Sequence, residues 1–94
     1  MQRDEILDTA KTLINVDRAA AYGPAKANFE RIAAGWNVIA QEAMRTDGRI
    51  TVAHVALMMD WLKTARLLNS MKHNDSWIDK AAYSALGGEL ASDV

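Results

Sequence analysis

The sequence has no cysteine, a single proline and no excess of charge of either sign. The absence of cysteine excludes disulfides, zinc sites built on thiolates and thiol nucleophiles, which leaves carboxylates, amines, guanidinium groups, hydroxyls and two histidines for any chemistry. The 11 basic and 12 acidic residues give a formal charge of −1, whereas a nucleic-acid-binding module normally carries a basic excess. We therefore expect no nucleic acid as a partner.

Long apolar runs are also lacking. The most apolar stretch, residues 52–62, contains His54 and Asp60 and is far shorter than the roughly 20 residues that span a bilayer. The amino terminus is polar and has no signal-peptide pattern. We therefore expect a soluble, cytoplasmic protein with no membrane partner.

Hydrophobic residues make up half of the sequence and recur at helical spacing. Intervals of three and four residues separate the apolar positions, and the alternation typical of β-strands is absent. Turn signals interrupt the pattern at Gly23-Pro24, at Asp47-Gly48 and after Asn69. The sequence predicts helices at about residues 3–19, 25–45, 51–68 and 75–90, within a single domain that covers residues 1–94.

The third predicted helix is apolar around most of its circumference. A helix of this kind lies at the centre of a bundle or also faces another subunit. Three short neighbours in a 94-residue chain cannot cover it completely. We therefore expect an all-α fold, a compact four-helix bundle, that assembles as a dimer or a higher homo-oligomer.

Two carboxylates and a tyrosine follow each other at one-turn intervals on the last predicted helix. Asp75, Asp79 and Tyr83 are at i, i+4 and i+8 and are expected on one face. Neighbouring carboxylates repel unless a cation lies near them, and hard oxygen ligands at this spacing suit Mg²⁺ with a phosphate completing its shell. The alternative is that Asp75 is only an N-cap and that Asp79 pairs with a lysine such as Lys63.

Two cations interrupt the third predicted helix. Lys63 and Arg66 are at i and i+3 and could hold a polyphosphate, Arg66 by its planar fork and Lys63 as a point charge. Alternatively, they form the solvated edge of a core helix, or they neutralise Asp75 and Asp79 within the chain.

A third candidate site lies where the second predicted helix begins. A helix amino terminus behind a glycine turn can bind an anion, and Tyr22 could stack on a base. Lys26 and Asn28 follow in the first turn of this helix. The alternative is that Tyr22 only closes the end of the bundle.

Several short motifs spread over the chain resemble those of one known family. They are Asp17-Arg18, Tyr22-Gly23, Asn28-Phe29, Ile32-Ala33, Trp36, Val55-Ala56-Leu57-Met58, Leu62-Lys63, Ala65-Arg66-Leu67, Asp75-Ser76-Trp77-Ile78-Asp79, Ala81 and Tyr83-Ser84-Ala85-Leu86-Gly87. Over roughly residues 3–90, the chain resembles a family of small proteins of unassigned function that are encoded mainly by tailed phages and prophages.

That family is in turn similar to the all-α nucleoside triphosphate pyrophosphohydrolases of the MazG and dimeric dUTPase group. Those enzymes are helical bundles, usually dimers or tetramers, that hold Mg²⁺ with two carboxylate pairs and release a nucleoside monophosphate and pyrophosphate. The resemblance implies that Asp79 and Asp75 correspond to the later pair, and that Lys63 and Arg66 meet phosphates. The first pair has no counterpart on the second predicted helix, where Glu30 is the nearest carboxylate.

Three hypotheses follow. The first is a phage protein that binds a nucleoside phosphate, with or without hydrolysis, in the cytoplasm of an infected or lysogenic bacterium. The second is a non-enzymatic protein that sequesters a host signalling nucleotide, and the third is a structural or partner-binding bundle whose charged pairs are ordinary salt bridges. Lys80, next to Asp79, could replace metal charge and would favour binding over hydrolysis. The residues expected to contact the nucleotide are Tyr22, Lys26, Asn28, Lys63, Arg66 and Tyr83, and those expected to hold Mg²⁺ are Asp75, Asp79 and Glu30.

Overall fold

The computed structural model describes residues 1–17 and 25–92, and the regular structure in this part of the chain is entirely helical. Helix α1, Arg3–Thr12, continues into a π-helical turn, Leu13–Asp17. The other helices are α2, Ala25–Asp47, α3, Val52–Asn69, and α4, Asn74–Ser92. The prediction of an all-α fold is confirmed. None of the described helices combines the length and apolar composition needed to cross a membrane.

The bounds of α2, α3 and α4 lie within two residues of the predicted ones, and local signals explain most of them. Helix α2 ends at Gly48, whose φ of 72° suits glycine and whose amide donates to the carbonyl oxygen of Met44 at 3.2 Å. Helix α3 begins with a capping box. The Thr51 hydroxyl accepts from the His54 amide at 3.4 Å, and the Thr51 amide donates to His54 Nδ1 at 3.0 Å.

His73 caps the amino terminus of helix α4. The amide of Ser76 donates to Nδ1 of His73 at 3.3 Å, and the hydroxyl of Ser76 lies 2.9 Å from the same nitrogen. The alternative that Asp75 is the N-cap is therefore wrong. Asp75 is exposed within the first turn, where the helix dipole favours a negative charge.

Helix α3 is central, and α2 and α4 pack on opposite sides of it without contacting each other in the described part of the chain. Trp36 Nε1 donates to the carbonyl oxygen of Met58 at 2.7 Å, and Trp61 Nε1 donates to that of Arg31 at 2.9 Å. Small residues bring α3 and α4 together, because a Cβ on Gly87 would lie 2.7 Å from the Cβ of Ala56. The three helices thus form a layer.

This packing differs from the expected compact bundle of four. Among the described residues, helix α1 contacts only the π-helical turn that follows it, so Ile6 and Leu7 of α1 and Ile14 of the turn remain exposed. The radius of gyration is 15.7 Å, against about 12 Å for a compact chain of this length. In the described part of the chain, the buried apolar residues are Ala43, Ala65 and Leu67, because a single layer of helices has no second layer against which to bury its faces.

The layer has two faces, which follow from 100° of rotation per helical residue and from the contacts between helices. Lys63 meets Asp79 on one face, and Lys80 meets Asp60 on the other. We call the face with the Lys63–Asp79 pair the Met59 face and the face with the Lys80–Asp60 pair the Leu57 face. The Met59 face carries Phe29, Trp36, Val55, Met59, Leu62 and Leu86. The Leu57 face carries Val38, Leu57, Leu68 and Trp77.

Candidate functional site

Two ion pairs cross from α3 to α4, one on each face of the layer. Lys63 Nζ lies 3.0 Å from Asp79 Oδ2 on the Met59 face, and Lys80 Nζ lies 2.7 Å from Asp60 Oδ1 on the Leu57 face. Each helix contributes one cation and one anion. The pairs diverge to opposite faces because Asp79 and Lys80 are adjacent and therefore about 100° apart around α4.

The pair on the Met59 face is the centre of the candidate site. The Lys63 side chain is 16 % exposed, whereas the Asp79 side chain is 43 % exposed, so the carboxylate is the solvent-accessible partner. Asp75 is exposed one turn before Asp79. Arg66 lies three residues after Lys63 on the same side of α3 and is partly buried. We call Lys63, Arg66, Asp75 and Asp79 the charged cluster.

One alternative from the sequence is therefore realised in this structure. Lys63 and Asp79 neutralise each other within the chain, as an ordinary salt bridge would. Such a pair does not preclude a phosphate site, because a half-exposed carboxylate can exchange a lysine for a cation from solution. Because the Asp79 carboxylate is half-exposed, ions from solution can compete for it.

The predicted residues on α2 lie away from the charged cluster. Lys26 and Glu30 form an exposed ion pair with each other at 3.8 Å. Because α2 and α4 do not touch in the described part of the chain, Glu30 is not brought to Asp75 and Asp79. Asn28 is buried, and within the described structure its Oδ1 has no hydrogen-bond partner. Tyr22 lies outside the described residues.

Tyr83 is separated from the two aspartates. It is half-buried and lines a groove of about 300 Å³ on the Leu57 face, together with Asp60. Positions four apart on a helix drift by about 40°, so over eight residues Asp75 and Tyr83 diverge by about 80°. The expected face shared by Asp75, Asp79 and Tyr83 is thus divided between the two sides of α4.

The residue spacing did not predict the Lys80–Asp60 contact on the Leu57 face. Lys80 donates from Nζ to Asp60 Oδ1 and to Thr64 Oγ1, and the Thr64 hydroxyl donates to the carbonyl oxygen of Asp60 at 3.2 Å. Lys80 therefore neutralises Asp60, not Asp79. The available signal was Asp60 itself, a lone acid in the most apolar stretch of the chain, which requires a partner when partly buried.

The described side chains offer a magnesium ion two neighbouring carboxylates at most. In the described part of the chain, no group of three or more His, Asp or Glu side chains is placed to hold a metal ion. Mg²⁺ often uses only one or two carboxylates together with waters and substrate phosphates. Asp75 and Asp79 fit that limited role, and Glu30, held in its own ion pair on α2, does not.

Comparison with known proteins gives a family and one relative. A domain of unknown function, DUF6378, matches residues 5–91. The Gene 55 protein of Mycobacterium phage L5 is 41 % identical to this chain over 81 residues, which is 86 % of this chain and 49 % of that protein. The chain therefore spans about half the length of the curated relative it matches. No solved structure matches this chain. Together these findings support a phage family of unassigned function.

Proposed function

This chain belongs to the DUF6378 family, and we propose that it binds a nucleoside phosphate through the charged cluster. One observation carries the proposal: α3 and α4 bring Lys63 and Asp79 within 3.0 Å on the Met59 face, with Asp79 accessible to solvent. The cytoplasm of an infected or lysogenic bacterium is the compartment in which such a ligand is abundant.

The cations and the anions of the charged cluster have different roles in the proposed binding. Lys63 and Arg66 bind phosphate oxygens, the lysine as a point charge and the arginine with a planar set of donors. Asp75 and Asp79 hold the Mg²⁺ that accompanies a di- or triphosphate. The Lys63–Asp79 pair neutralises the cluster in the free protein, and ligand binding redirects Lys63 to phosphate and Asp79 to the cation.

The resemblance to the MazG and dimeric dUTPase group supports the choice of ligand. It rests on the short motifs around Lys63, Arg66, Asp75 and Asp79. Hydrolysis in that group uses two carboxylate pairs, and the described part of this chain brings together one. Binding without turnover, such as sequestration of a signalling nucleotide, is therefore our first choice, with pyrophosphate release by an Mg²⁺-dependent enzyme as the second.

Thermal unfolding with a panel of nucleosides and their mono-, di- and triphosphates, each with and without Mg²⁺, tests the proposal. A ligand at about 100 times its Kd adds about 2.7 kcal/mol of stability, which corresponds to about 10 °C or more for a domain of this size. We expect the shift to grow with phosphate number and to require Mg²⁺ for the triphosphates.

Two variants locate the site. Asp79→Asn should abolish the Mg²⁺-dependent part of the shift. Glu42→Gln should leave it intact, because Glu42 forms an exposed ion pair of the same kind with Arg45, on α2. Equal shifts for both variants, or no shift with any compound, would contradict the proposal. Pyrophosphate measured in the same samples separates binding from turnover.

A further inference from the structure

Helices α2 and α4 leave two sides of α3 uncovered, and these two sides differ in how their charged residues are distributed. On the Met59 face, Val55 is 50 % exposed, Met59 and Leu62 are partly exposed, and the flanking Phe29 and Leu86 are both exposed. The exposed apolar side chains of the Met59 face therefore come from all three helices.

The Leu57 face is interrupted by charge. Leu57 and Leu68 are exposed there, but Asp60, Lys80 and Arg31 lie between the apolar residues. These three groups already have partners, since Lys80 binds Asp60 and Arg31 donates to the carbonyl oxygen of Ala65 at 3.2 Å. The charges of the Leu57 face thus come from all three helices, whereas the charged cluster on the Met59 face comes from α3 and α4.

The chain exposes more surface than a compact monomer of its mass does. Its accessible surface is 6921 Å², whereas a folded monomer of 10.3 kDa exposes about 5,400 Å². The excess is about 1,500 Å² per chain, and two copies that each bury that much would form an interface of about 3,000 Å², within the range of obligate homodimers. Helix α1 accounts for part of this excess, so the share that two stacked layers bury is smaller than about 3,000 Å².

We propose that a second copy of this chain covers the Met59 face, so that two three-helix layers stack with Val55, Met59 and Leu62 at the centre of the interface. The Met59 face is suited to a two-fold arrangement, because it carries both the cations and the anions of the charged cluster beside its apolar residues and can therefore complement itself. Stacking supplies the second layer that the apolar side of α3 lacks. This inference goes beyond nucleotide binding and does not depend on it.

Single cysteines test the contact without a disruptive substitution. Because the chain has no cysteine, Val55→Cys and Leu57→Cys each introduce the only thiol. The two positions are matched, being on the same helix with exposures of 50 % and 55 %, but they lie on opposite faces. A short bis-maleimide should link Val55→Cys chains into a covalent dimer and should leave Leu57→Cys chains largely unlinked. Equal linking at both positions would overturn the proposal.

Sedimentation velocity tests the assembly itself. The wild-type chain should sediment with twice the mass of one 10.3 kDa chain. Val55→Glu should weaken self-association by about tenfold or more, because it buries a charge at the centre of the interface, and Leu57→Glu should leave it nearly unchanged. A monomeric wild-type chain would overturn the proposal and point to α1 of the same chain as the occupant of the face.

Circular dichroism identifies a variant that merely fails to fold, and the crosslinking result still stands in that case. The nucleotide panel is independent of both measurements. A dimer that binds no nucleotide contradicts only the proposed function, and a monomer that binds one contradicts only this inference.

Discussion

The indole Nε1 of Trp61, on α3, donates to the carbonyl oxygen of Arg31, on α2, at 2.9 Å, and the indole ring lies directly over Gly35. A backbone carbonyl of a helix normally accepts from an amide of its own helix. This additional bond from a side chain of α3 fixes the axial position of α3 relative to α2. Trp36 makes the reciprocal contact from α2 to the carbonyl oxygen of Met58. The orientation of α3, and with it of Lys63, therefore depends on two indoles and one glycine.

Gly35→Ala should destabilise the protein by about 1–3 kcal/mol, because the new Cβ would overlap the Trp61 indole and force it from its site. The matched control is Gly88→Ala, also within a helix, where a Cβ meets nothing within 4 Å. That change should stabilise the protein by up to about 1 kcal/mol through helix propensity. Urea unfolding followed by circular dichroism measures both. Equal midpoints for the two variants would contradict the close approach of α2 and α3.

The Lys80–Asp60 pair should contribute more to stability than an exposed pair does. Lys80 and Asp60 are 24 % and 34 % exposed, and Lys80 has a second acceptor in Thr64. A double-mutant cycle with Lys80→Met and Asp60→Asn should give a coupling free energy of about 1 kcal/mol. The same cycle on the exposed Arg45–Glu42 pair should give less than about 0.5 kcal/mol. Similar coupling free energies in both cycles would show that the partial burial of Lys80 does not strengthen its pair with Asp60.

Thr51→Ala should cost about 1 kcal/mol in the free energy of unfolding, because it removes the hydroxyl that accepts from the His54 amide at the start of α3. Thr46→Ala is the control. The Thr46 hydroxyl donates to the carbonyl oxygen of Glu42 on an exposed part of α2, so its loss should be neutral or slightly stabilising. Chemical denaturation measures both changes, and a larger loss for Thr46→Ala would refute the capping role of Thr51.

Lys63→Met should weaken the binding of a nucleoside triphosphate by about tenfold or more, since a charge-assisted hydrogen bond contributes about 1.5–3 kcal/mol. It should change the binding of the parent nucleoside much less, because the nucleoside has no phosphate. Lys72→Met, in the exposed loop before α4, removes the same charge without touching the charged cluster. Isothermal titration calorimetry compares the variants. A uniform loss for nucleoside and triphosphate would place Lys63 outside the phosphate site.

Much of the helical structure was predictable because its signals are local. The apolar spacing, the Asp47-Gly48 turn and Thr51 at the start of α3 are short-range features, and the bounds of α2 and α3 follow them closely. The first turn of α4 shows the limit of such signals. Asp75 looked like an N-cap by residue type, but the acceptor is the ring nitrogen of His73, whose position depends on the fold of the preceding loop.

The candidate site was predictable in part. The pairing of Lys63 with Asp79 was one of the alternatives that spacing allowed, and it is present at 3.0 Å. The pairing of Lys80 with Asp60 was missed, because it depends on how α3 and α4 are rotated about their axes. Residue spacing places Asp79 and Lys80 on neighbouring positions of one helix, but only the packed partner helix shows that they serve opposite faces.

The sequence by itself determined that this chain is helical, that it has no thiol chemistry, and that its third long segment is apolar on nearly every side. These properties depend on composition and on periodicity within single helices. The tertiary structure decided that α2 and α4 lie on opposite sides of α3, so that the helices form a layer with two open faces. Relative helix rotation is set by particular contacts, such as Trp61 over Gly35 and Ala56 against Gly87. Those contacts join residues more than 20 positions apart, and no local pattern encodes them.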